Sequence, residues 1–378
     1  MGKYIFKRAI FWYNICMVIK SLELNNFRNY NNQRVYFTPH LNVLVGKNAQ
    51  GKTNMLESVF LCAIGRSPRT TKDKDLIRWN STFSKVTLEV EKNSGHNKIE
   101  VYMFTNQNKA IKINSFPIKR MGELMGEFNA IYFSPDELKL VKDSPDERRR
   151  FMDIDLCQFN KQYFYNLSKY NNILQQRNKL LKVTSSEKAL RETISIWNEQ
   201  LADVGCKIIV ERIKLIEKLK VYADDIQKYL TDSKESLVLT YAGMTGESES
   251  EIREKLIKAY EVSLEKDMNL GFTTVGPHRD DMKIVLNDID VRHFGSQGQQ
   301  RTVALALKLA ELEVFKENIG EYPVLLLDDV LSELDTNRKI KLLNHVKNIQ
   351  TIVTCTSFNY DIPHTKFVVE NGNINHPN

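Results

Sequence analysis

The chain lacks several features that would place it in well-known classes of protein. Its five cysteines lie far apart, and no two of them form a C-x-x-C pair. This spacing excludes a zinc ribbon and a dense disulfide framework, so we expect reduced, mostly buried thiols in a cytoplasmic protein. No apolar run reaches the roughly 18 residues that a membrane-spanning helix requires, and the sequence contains no internal repeat.

The N-terminus is the only stretch that resembles a targeting segment. Residues 1–16 place Lys3, Lys7 and Arg8 ahead of a short aromatic and apolar patch. A secretory signal needs a longer apolar stretch and a small-residue cleavage site, and neither is clear here. We therefore expect residues 1–16 to be an extension outside a fold that begins at Met17, with a weak interfacial anchor as the alternative.

The composition is that of an ordinary globular protein. The chain has 378 residues, of which 42% are hydrophobic and 27% are charged, and this length is enough for two domains. The formal net charge of +7 permits a polyanionic partner without establishing one.

The pattern of secondary structure changes twice along the chain. Residues 17–134 contain mostly strand signals, residues 135–270 favour helices, and residues 271–378 alternate apolar strands with helices. Such alternation is typical of a parallel sheet covered by helices on both faces. We predict an α/β head in two halves, 17–134 and 271–378, with the helical arm 135–270 inserted between them.

The arm is expected to contain two long helices that pack against each other. Leu167, Leu174 and Leu181 recur every seven residues within a helix predicted over 145–182, and a second helix is predicted over 187–230. After the arm, "MKIVL" and "VRHF" flank "NDID", which predicts a β-hairpin.

The strongest motif is "VGKNAQGKT", which follows the apolar run "LNVLV" and precedes a helix predicted over 53–64. It fits G-x-x-x-x-G-K-[ST], the phosphate-binding loop, in which backbone N–H groups and a helix N-terminus hold phosphates. We expect left-handed backbone angles at Gly46 and Gly51, contact of Lys52 with the β- and γ-phosphates of ATP, and coordination of Mg²⁺ by Thr53. The predicted nucleotide-binding residues of this loop are Gly46, Lys47, Asn48, Ala49, Gln50, Gly51, Lys52 and Thr53.

A second motif, "VLLLDD", predicts a buried strand that ends in two carboxylates. Together with a phosphate loop, Asp328 is placed to hold Mg²⁺ through water, and Asp329 is placed to polarise the attacking water. Asp329 and Lys52 are therefore the predicted catalytic residues.

A third motif, "GSQGQQR", stands immediately before a predicted helix. A Gly-Ser start with a helix N-terminus behind it is an anion-binding device, although it is also compatible with an ordinary capped helix. Because the chain has one phosphate loop, a second anion site requires a second nucleotide or a second copy of the protein. The candidate residues of this second anion site are Ser296, Gln297, Gly298 and Gln299.

These motifs in this order, with "SELD" after the two aspartates, resemble the ATP-binding-cassette (ABC) heads of the SMC family and its repair relatives. "NNFRNY", "FSPDELKLVKDSPDERRRFMD" and "GFTTVGPHRDD" are similar, more specifically, to the RecF family of bacterial recombination-mediator and gap-repair ATPases. The resemblance covers nearly the whole chain from residue 17 to about residue 360.

The resemblance implies an ATP-gated clamp in which two copies bind two ATP molecules head to tail. Ser296, Gln297 and Gly298 of one copy would contact the γ-phosphate held by Lys52 of the other, and Asp335 would line that interface. It also implies slow ATP hydrolysis, binding to single-stranded, duplex or gapped DNA, action with RecO and RecR to load a recombinase, and SOS induction. Asp329 stands where many cassettes carry glutamate, which predicts weak hydrolysis.

Two further motifs contain residues that resemble family positions near the nucleotide or near the dimer interface. They are Arg28 in "NFRNY" and His278-Arg279 in "GPHRDD". Hydrogen bonds that stabilise a turn are the alternative role for each of them.

Direct evidence for DNA contacts is weaker. Residues 161–182 hold five basic residues and no acidic ones, interleaved with aromatic side chains. Phosphate contact is one interpretation, and a solvated face over a packed arm is the other. No groove-reading motif is present, so DNA structure rather than base sequence would set binding. The candidate DNA-binding residues are Lys161, Lys169, Arg177, Lys179 and Lys182.

Two other functions also use a phosphate loop. A transporter-type ABC subunit would need a membrane partner and a shorter helical domain than the arm of residues 135–270. A small-molecule kinase could use the same phosphate loop, but it has no need for "GSQGQQ" or "SELD".

Overall fold

The computed structural model describes residues 16–183 and 187–375, without the side chains of residues 183–192. The prediction that residues 1–16 form an extension therefore lies outside the described residues, apart from Cys16, whose thiol donates to the carbonyl of Asn348 (3.1 Å).

The strands are β1 Val18–Phe27, β2 Tyr30–Tyr36, β3 Leu41–Val45, β4 Phe83–Lys92, β5 Gly95–Phe104, β6 Ala110–Ile113, β7 Phe116–Pro117, β8 Ala130–Phe133, β9 Leu237–Ala242, β10 Asp281–Leu286, β11 Ile289–Asp290, β12 Val324–Asp328, β13 Thr351–Cys355, β14 Thr365–Glu370 and β15 Asn373–Asn375. The helices are α1 Lys52–Ile64, α2 Lys139–Lys142, α3 Pro145–Phe159, α4 Lys161–Val183, α5 Glu187–Thr231, α6 Glu249–Val262, α7 Leu264–Leu270, α8 Val291–Phe294, α9 Gln297–Ile319 and α10 Thr336–His345.

A mostly parallel sheet carries the motifs. Its strand order is β15-β14-β3-β13-β12-β8, and all neighbouring pairs are parallel except β14 with β15. Every residue of β8, β12 and β13 is buried, as expected for strands covered on both faces. Since parallel strands end at the same edge, the loop after β3 and the carboxylates at the end of β12 come together there. The predicted α/β class is confirmed.

A second sheet is antiparallel, with the order β2-β1-β4-β5-β6-β7. The side chain of Gln350, which is fully buried, connects it to the parallel sheet. Its amide accepts from the backbone N–H of Ile19 (2.7 Å) and donates to the carbonyls of Ile19 and Thr38 (both 2.9 Å). Gln350 precedes β13, so one buried side chain fixes the two sheets to each other.

The helical part agrees with the predicted packing of two long helices, with one difference in α4. The helices α4 and α5 pack against each other. Of the three leucines that recur every seven residues, Leu181 is buried and Leu167 and Leu174 are half-buried. The helix predicted over 145–182 is two helices, α3 and α4, because the chain leaves helical geometry at Asn160. The Asn160 side chain instead accepts from the N–H of Tyr163 (3.0 Å) and so caps the start of α4.

A small three-stranded sheet, β11-β10-β9, joins the predicted arm to the segment that follows it. β9 precedes residue 270 and β10 follows it, and the two strands pair with each other. The predicted boundary between the arm and the second half of the head therefore falls within one sheet, and it stays a prediction. The predicted hairpin at "NDID" forms between β10 and β11, but "VRHF" is the short helix α8. Asp290 caps this helix by accepting from the N–H of Arg292 (2.9 Å).

All five cysteines are unpaired, and four of them are buried, as predicted. Among the described residues, no helix is both long enough and apolar enough to cross a membrane.

Candidate nucleotide-binding site

The loop between β3 and α1 has the conformation of a phosphate cradle. Gly51 has φ +116° and Ala49 has φ +64°, and left-handed angles of this kind let the backbone N–H groups of a loop face an anion. The predicted left-handed angle at Gly46 is wrong. Gly46 is required for a different reason, since a Cβ there would lie 2.3 Å from the carbonyl oxygen of Val369. Close packing against β14, not backbone angle, excludes a side chain at this position.

The side chain of Lys52 folds back over this loop. Its ammonium donates to the carbonyls of Gly46 (2.6 Å) and Lys47 (2.9 Å). Partial burial lowers the pKa of Lys52, and the nearby carboxylates of Asp329 and Asp328 oppose that shift. A cation held at the mouth of an N–H-lined loop fits the phosphates of a nucleotide.

Neighbouring segments hold the loop in place through hydrogen bonds that sequence motifs do not reveal. Asn29 donates to the carbonyl of Gln50 (2.9 Å), and the Tyr30 hydroxyl donates to that of Gly51 (3.0 Å). From the other side, the N–H of Asn371 donates to the Gln50 side chain (2.7 Å). The "NNFRNY" motif thus supports the phosphate loop.

Three hydroxyl groups orient the carboxylate of Asp328. Thr53 (2.9 Å) and Thr354 (2.8 Å) donate to Oδ1, and Tyr132 (2.7 Å) donates to Oδ2. Burial and the adjacent carboxylate raise the pKa of Tyr132, which keeps its hydroxyl a donor. Thr53 and Asp328, which were each predicted to hold Mg²⁺, are thus hydrogen-bonded to each other, and oxygen ligands of this kind suit Mg²⁺.

Asp329 stands beside this pair in a left-handed conformation (φ +53°). Its backbone N–H donates to the hydroxyl of Thr354 (2.9 Å), so one threonine holds both aspartates. The Asp329 side chain is half-buried, and its charge acts on Lys52. This arrangement places a carboxylate close to the cation of the phosphate loop.

Arg28 is bound to protein groups rather than turned towards the loop. Its guanidinium makes two bonds to the fully buried carboxylate of Glu57 (2.8 and 2.9 Å) and one to the carbonyl of Asp75 (2.7 Å). Glu57 also accepts from Arg69 (3.2 Å) and Ser67 (2.5 Å). In this structure the predicted nucleotide contact of Arg28 is replaced by an ion pair with α1.

The "GSQGQQ" segment is an exposed, capped helix start. The Ser296 hydroxyl accepts from the N–H of Gln299 (3.2 Å), and the Gln299 side chain accepts from the N–H of Ser296 (2.9 Å). This is a capping box, and it leaves the N-terminus of α9 facing solvent. Ser296, Gln297 and Gly298 are exposed, and a Cβ at Gly298 would meet nothing within 4 Å. In the described part of the chain, no hydrogen bond joins this segment to the phosphate loop.

Asp335 is an exposed cap of the next helix. Its carboxylate accepts from the N–H of Arg338 (3.0 Å) and pairs with the guanidinium of the same residue (2.9 Å). The backbone hydrogen bond from Arg338 is the main cause of the lowered pKa of Asp335. A permanently charged, surface-exposed carboxylate remains available to an interface.

The candidate DNA-binding residues of α4 separate into three groups. Lys169, Lys179 and Lys182 are exposed, whereas Lys161 pairs with Glu127 (2.9 Å). Arg177 does not agree with the prediction, because its side chain is completely buried.

Arg177 is part of a buried polar cluster. It pairs with Asp267 (2.7 Å), donates to Asn198 (2.9 Å) and Thr273 (2.7 Å), and lies over the ring of Tyr260. A guanidinium held in this way cannot reach a DNA phosphate. It fixes α4 to α5 and α7 instead.

His278 of "GPHRDD" also serves the packing of the arm. Its Nε2 faces the carbonyl of Thr273 (3.0 Å), so it must be the donor, and Nδ1 must accept from the Tyr170 hydroxyl (2.7 Å). Burial lowers the pKa of His278 to about 4. The neighbouring Asp281 pairs with Arg148 of α3 (2.6 Å). The motif connects α3, α4 and β10, which favours the alternative of local hydrogen bonding.

The fold and this site define the class: an ABC-type nucleotide-binding head of the SMC kind. The family model for the "RecF/RecN/SMC N terminal domain" matches residues 18–362. An SMC head with an extended coiled coil from Pyrococcus furiosus has the same fold, with a TM-score of 0.54 and 15% identity over 95% of each chain.

Closer relatives identify the family. The DNA replication and repair protein RecF of Clostridium perfringens is 46% identical over 358 residues, which is 95% of this chain and 97% of that protein. Its counterpart in Lachnoclostridium phytofermentans is 46% identical over 90% of this chain and 93% of its own length. The structure of a RecF in complex with ATP, described as a recombination mediator protein of the RecFOR pathway, has a TM-score of 0.89 and 37% identity, covering 97% of this chain and 99% of that chain. The chain therefore belongs to the RecF family.

Proposed function

We propose that this chain is an ATP-dependent DNA-binding protein of replication and recombinational gap repair. It works as a dimer that closes when ATP binds and opens after slow hydrolysis. The proposal is supported by its membership of the RecF family and by the relatives described as DNA replication and repair proteins.

ATP is the proposed nucleotide, with Mg²⁺ as its ion. A RecF of similar structure binds ATP. Gly46–Thr53 would hold the phosphates, with Lys52 at the β- and γ-phosphates, and Thr53 and Asp328 would hold the ion. The ion supplies positive charge to the phosphates, while the protein contributes the oriented N–H groups, the ammonium and a fixed carboxylate.

Asp329 is the proposed general base that orients the attacking water. Its backbone N–H donates to the hydroxyl of Thr354, which holds the residue at the end of β12. An aspartate is one methylene shorter than the glutamate of many cassettes. We therefore propose slow turnover, in which hydrolysis acts as a switch.

The exposed N-terminus of α9 is the observation that supports the proposed dimer. The N-terminus of α9, with Ser296, Gln297 and Gly298, is exposed and capped only by its own residues. We propose that it meets the γ-phosphate held by Lys52 of a second copy, with Asp335 at the same interface. Charge-assisted hydrogen bonds across the interface would make dimerisation depend on the γ-phosphate.

DNA and the partner proteins RecO and RecR complete the proposed function. Lys169, Lys179 and Lys182 of α4 are exposed, and in the described chain no acidic residue pairs with them, so they remain candidates for phosphate contact. RecO, RecR, recombinase loading and SOS induction come from the family, and one relative is described as part of the RecFOR pathway.

Sedimentation with and without ATP tests the dimer. We expect wild-type protein to dimerise with ATP and not with ADP, and Lys52→Ala to remain monomeric because it loses the phosphate contact. Ser296→Arg should bind ATP as a monomer and fail to dimerise. Normal dimerisation of Ser296→Arg would disprove the proposed role of the α9 N-terminus.

A further inference from the structure

The segment after α1 carries the most exposed large aromatic side chain of the described chain. We call residues 65–80 the basic loop. Trp79 in this loop is 93% exposed, compared with 76% for Phe116 on the edge strand β7. A bare tryptophan offers a large flat surface to a partner, because burying that surface is favourable.

The charge of the basic loop is positive. It contains five Lys or Arg residues and two Asp residues. The carboxylate of Asp73 is neutralised by Lys109 (3.0 Å), and that of Asp75 accepts from the Thr70 hydroxyl (2.7 Å). Three cations of the loop are exposed and have no ion pair within the described part of the chain: Arg66, Lys72 and Lys74.

The basic loop is already ordered by hydrogen bonds. The Ser67 hydroxyl accepts from the N–H groups of Arg69 (2.9 Å) and Thr70 (3.1 Å). The N–H of Arg78, next to Trp79, donates to the carbonyl of Asn26 (2.9 Å). A ligand that binds to this loop therefore pays little conformational entropy.

The basic loop is also attached to the phosphate-loop helix. Ser67 and Arg69 both bond the buried carboxylate of Glu57, which lies one helical turn after Thr53 in α1. Arg28 connects Glu57 to the carbonyl of Asp75 in the loop. The loop and the nucleotide site thus share one helix.

We propose that the basic loop binds single-stranded DNA, with Trp79 stacked on an unpaired base and Arg66, Lys72 and Lys74 at neighbouring phosphates. The inference rests on the proposed function, which makes DNA the partner, and it names the contact surface and the strand state. Cationic side chains combined with an aromatic platform are how proteins bind single strands regardless of sequence. A paired and stacked base offers no face to a tryptophan, so duplex DNA gains only the phosphate contacts.

Titration of labelled oligonucleotides by fluorescence anisotropy tests the stacking contact. Trp79→Ala should weaken binding to single-stranded DNA about tenfold, the scale of one lost base stack, and should leave blunt duplex binding within about twofold. Phe116→Ala, which removes another exposed aromatic side chain on a different part of the surface, should change neither. Unchanged single-strand affinity of Trp79→Ala, or an equal loss on duplex, would overturn the proposal.

The dependence of affinity on salt tests the phosphate contacts. Lys72→Glu combined with Lys74→Glu should lower the slope of log K against log salt by roughly 1.4, about 0.7 for each lost contact on a single strand. Lys234→Glu with Lys266→Glu changes the net charge equally at exposed lysines of the arm and should leave the slope unaltered. Equal salt slopes for the two double variants would show that the basic loop does not contact DNA phosphates.

Failure of this inference can be separated from failure of the proposed function. Wild-type protein that binds no DNA would contradict the proposed function itself. If wild-type protein and the loop variants bind DNA equally well, only the assignment of the basic loop is contradicted. This conclusion also holds if the variants lose binding to a partner protein. ATP-dependent dimerisation of Trp79→Ala should be normal, because Trp79 makes no contact in the nucleotide site.

Discussion

At the scale of single residues, the chemistry of the site depends on how Asp328 is held. Its two carboxylate oxygens accept from three hydroxyl groups, and only one of them, that of Thr53, belongs to a recognisable motif. Tyr132 and Thr354 come from the two strands on either side of β12. A carboxylate fixed in this way would present the same geometry to the proposed Mg²⁺ each time ATP binds.

Tyr132→Phe should reveal how much this support contributes. Removing the hydroxyl leaves a buried, charged oxygen with one donor fewer, which costs about 1–3 kcal/mol of unfolding free energy. Urea unfolding measures the loss. Tyr102→Phe is the matched control, because its hydroxyl donates to Glu100 at a half-exposed position (3.2 Å), and it should change stability by less than about 0.5 kcal/mol. Equal stability of Tyr132→Phe and wild type would show that the hydroxyl is dispensable.

His278 predicts a dependence of stability on pH. Its folded pKa of about 4 lies below the ordinary 6.5, so the unfolded chain binds more protons between these values. The contribution of neutral His278 is therefore complete above about pH 6.5 and is lost as pH falls towards 4. Between pH 7.5 and pH 5, wild type should lose about 2 kcal/mol more than His278→Gln.

The His278→Gln comparison isolates one group among several that titrate. Burial raises the pKa of Asp280 to about 6, which acts in the opposite direction, but Asp280 is present in both proteins. Arg149 and Arg279 add to the lowered pKa of His278, and Asp267 opposes it. Identical pH profiles of the two proteins, from urea unfolding, would contradict the buried neutral imidazole.

The motif residues at this scale were predictable because their chemistry is local. The glycines, Lys52, Thr53, Asp328 and Asp329 lie where their spacing places them. The reason for Gly46 and the ion-pair partner of Arg177 were not predictable. Each depends on a contact that is distant in sequence, with Val369 and Asp267 respectively.

At the scale of elements, α4 shows how charge can mislead. Its apolar heptad positions predict the face that packs on α5. Arg177 lies three residues after Leu174 and four before Leu181, so the same periodicity places it on that buried face, where it pairs with Asp267. The break at Asn160 and the helix α8 were missed for a related reason, since one side-chain cap decides each of them.

The exposed face of α4 remains a candidate for DNA contact. Lys169→Glu with Lys179→Glu should weaken DNA binding and lower the salt slope by roughly 1 to 2, depending on strand state. Lys258→Glu with Lys266→Glu provides the same change of charge on α6 and α7 and should have no effect. An unaltered slope in the α4 variant would assign its lysines to a solvated surface.

At the scale of the whole molecule, the phosphate loop and the N-terminus of α9 are the two motifs that we propose to combine in each ATP site. The phosphate loop follows β3 of the parallel sheet, and the α9 N-terminus is exposed and capped by itself. One copy thus carries half of each proposed ATP site. The order of motifs along the sequence indicated this arrangement, and the exposed α9 N-terminus agrees with it.

The central claim is that a complete site combines Lys52 of one copy with Ser296 of another. Mixing Lys52→Ala with Ser296→Arg tests it most directly, because the heterodimer contains one site in which both residues are intact. With one variant fluorescently labelled, sedimentation should show each variant alone as a monomer and the mixture as an ATP-dependent heterodimer that is absent with ADP. A mixture that remains monomeric under conditions where wild type dimerises would contradict the account, as would either variant dimerising by itself.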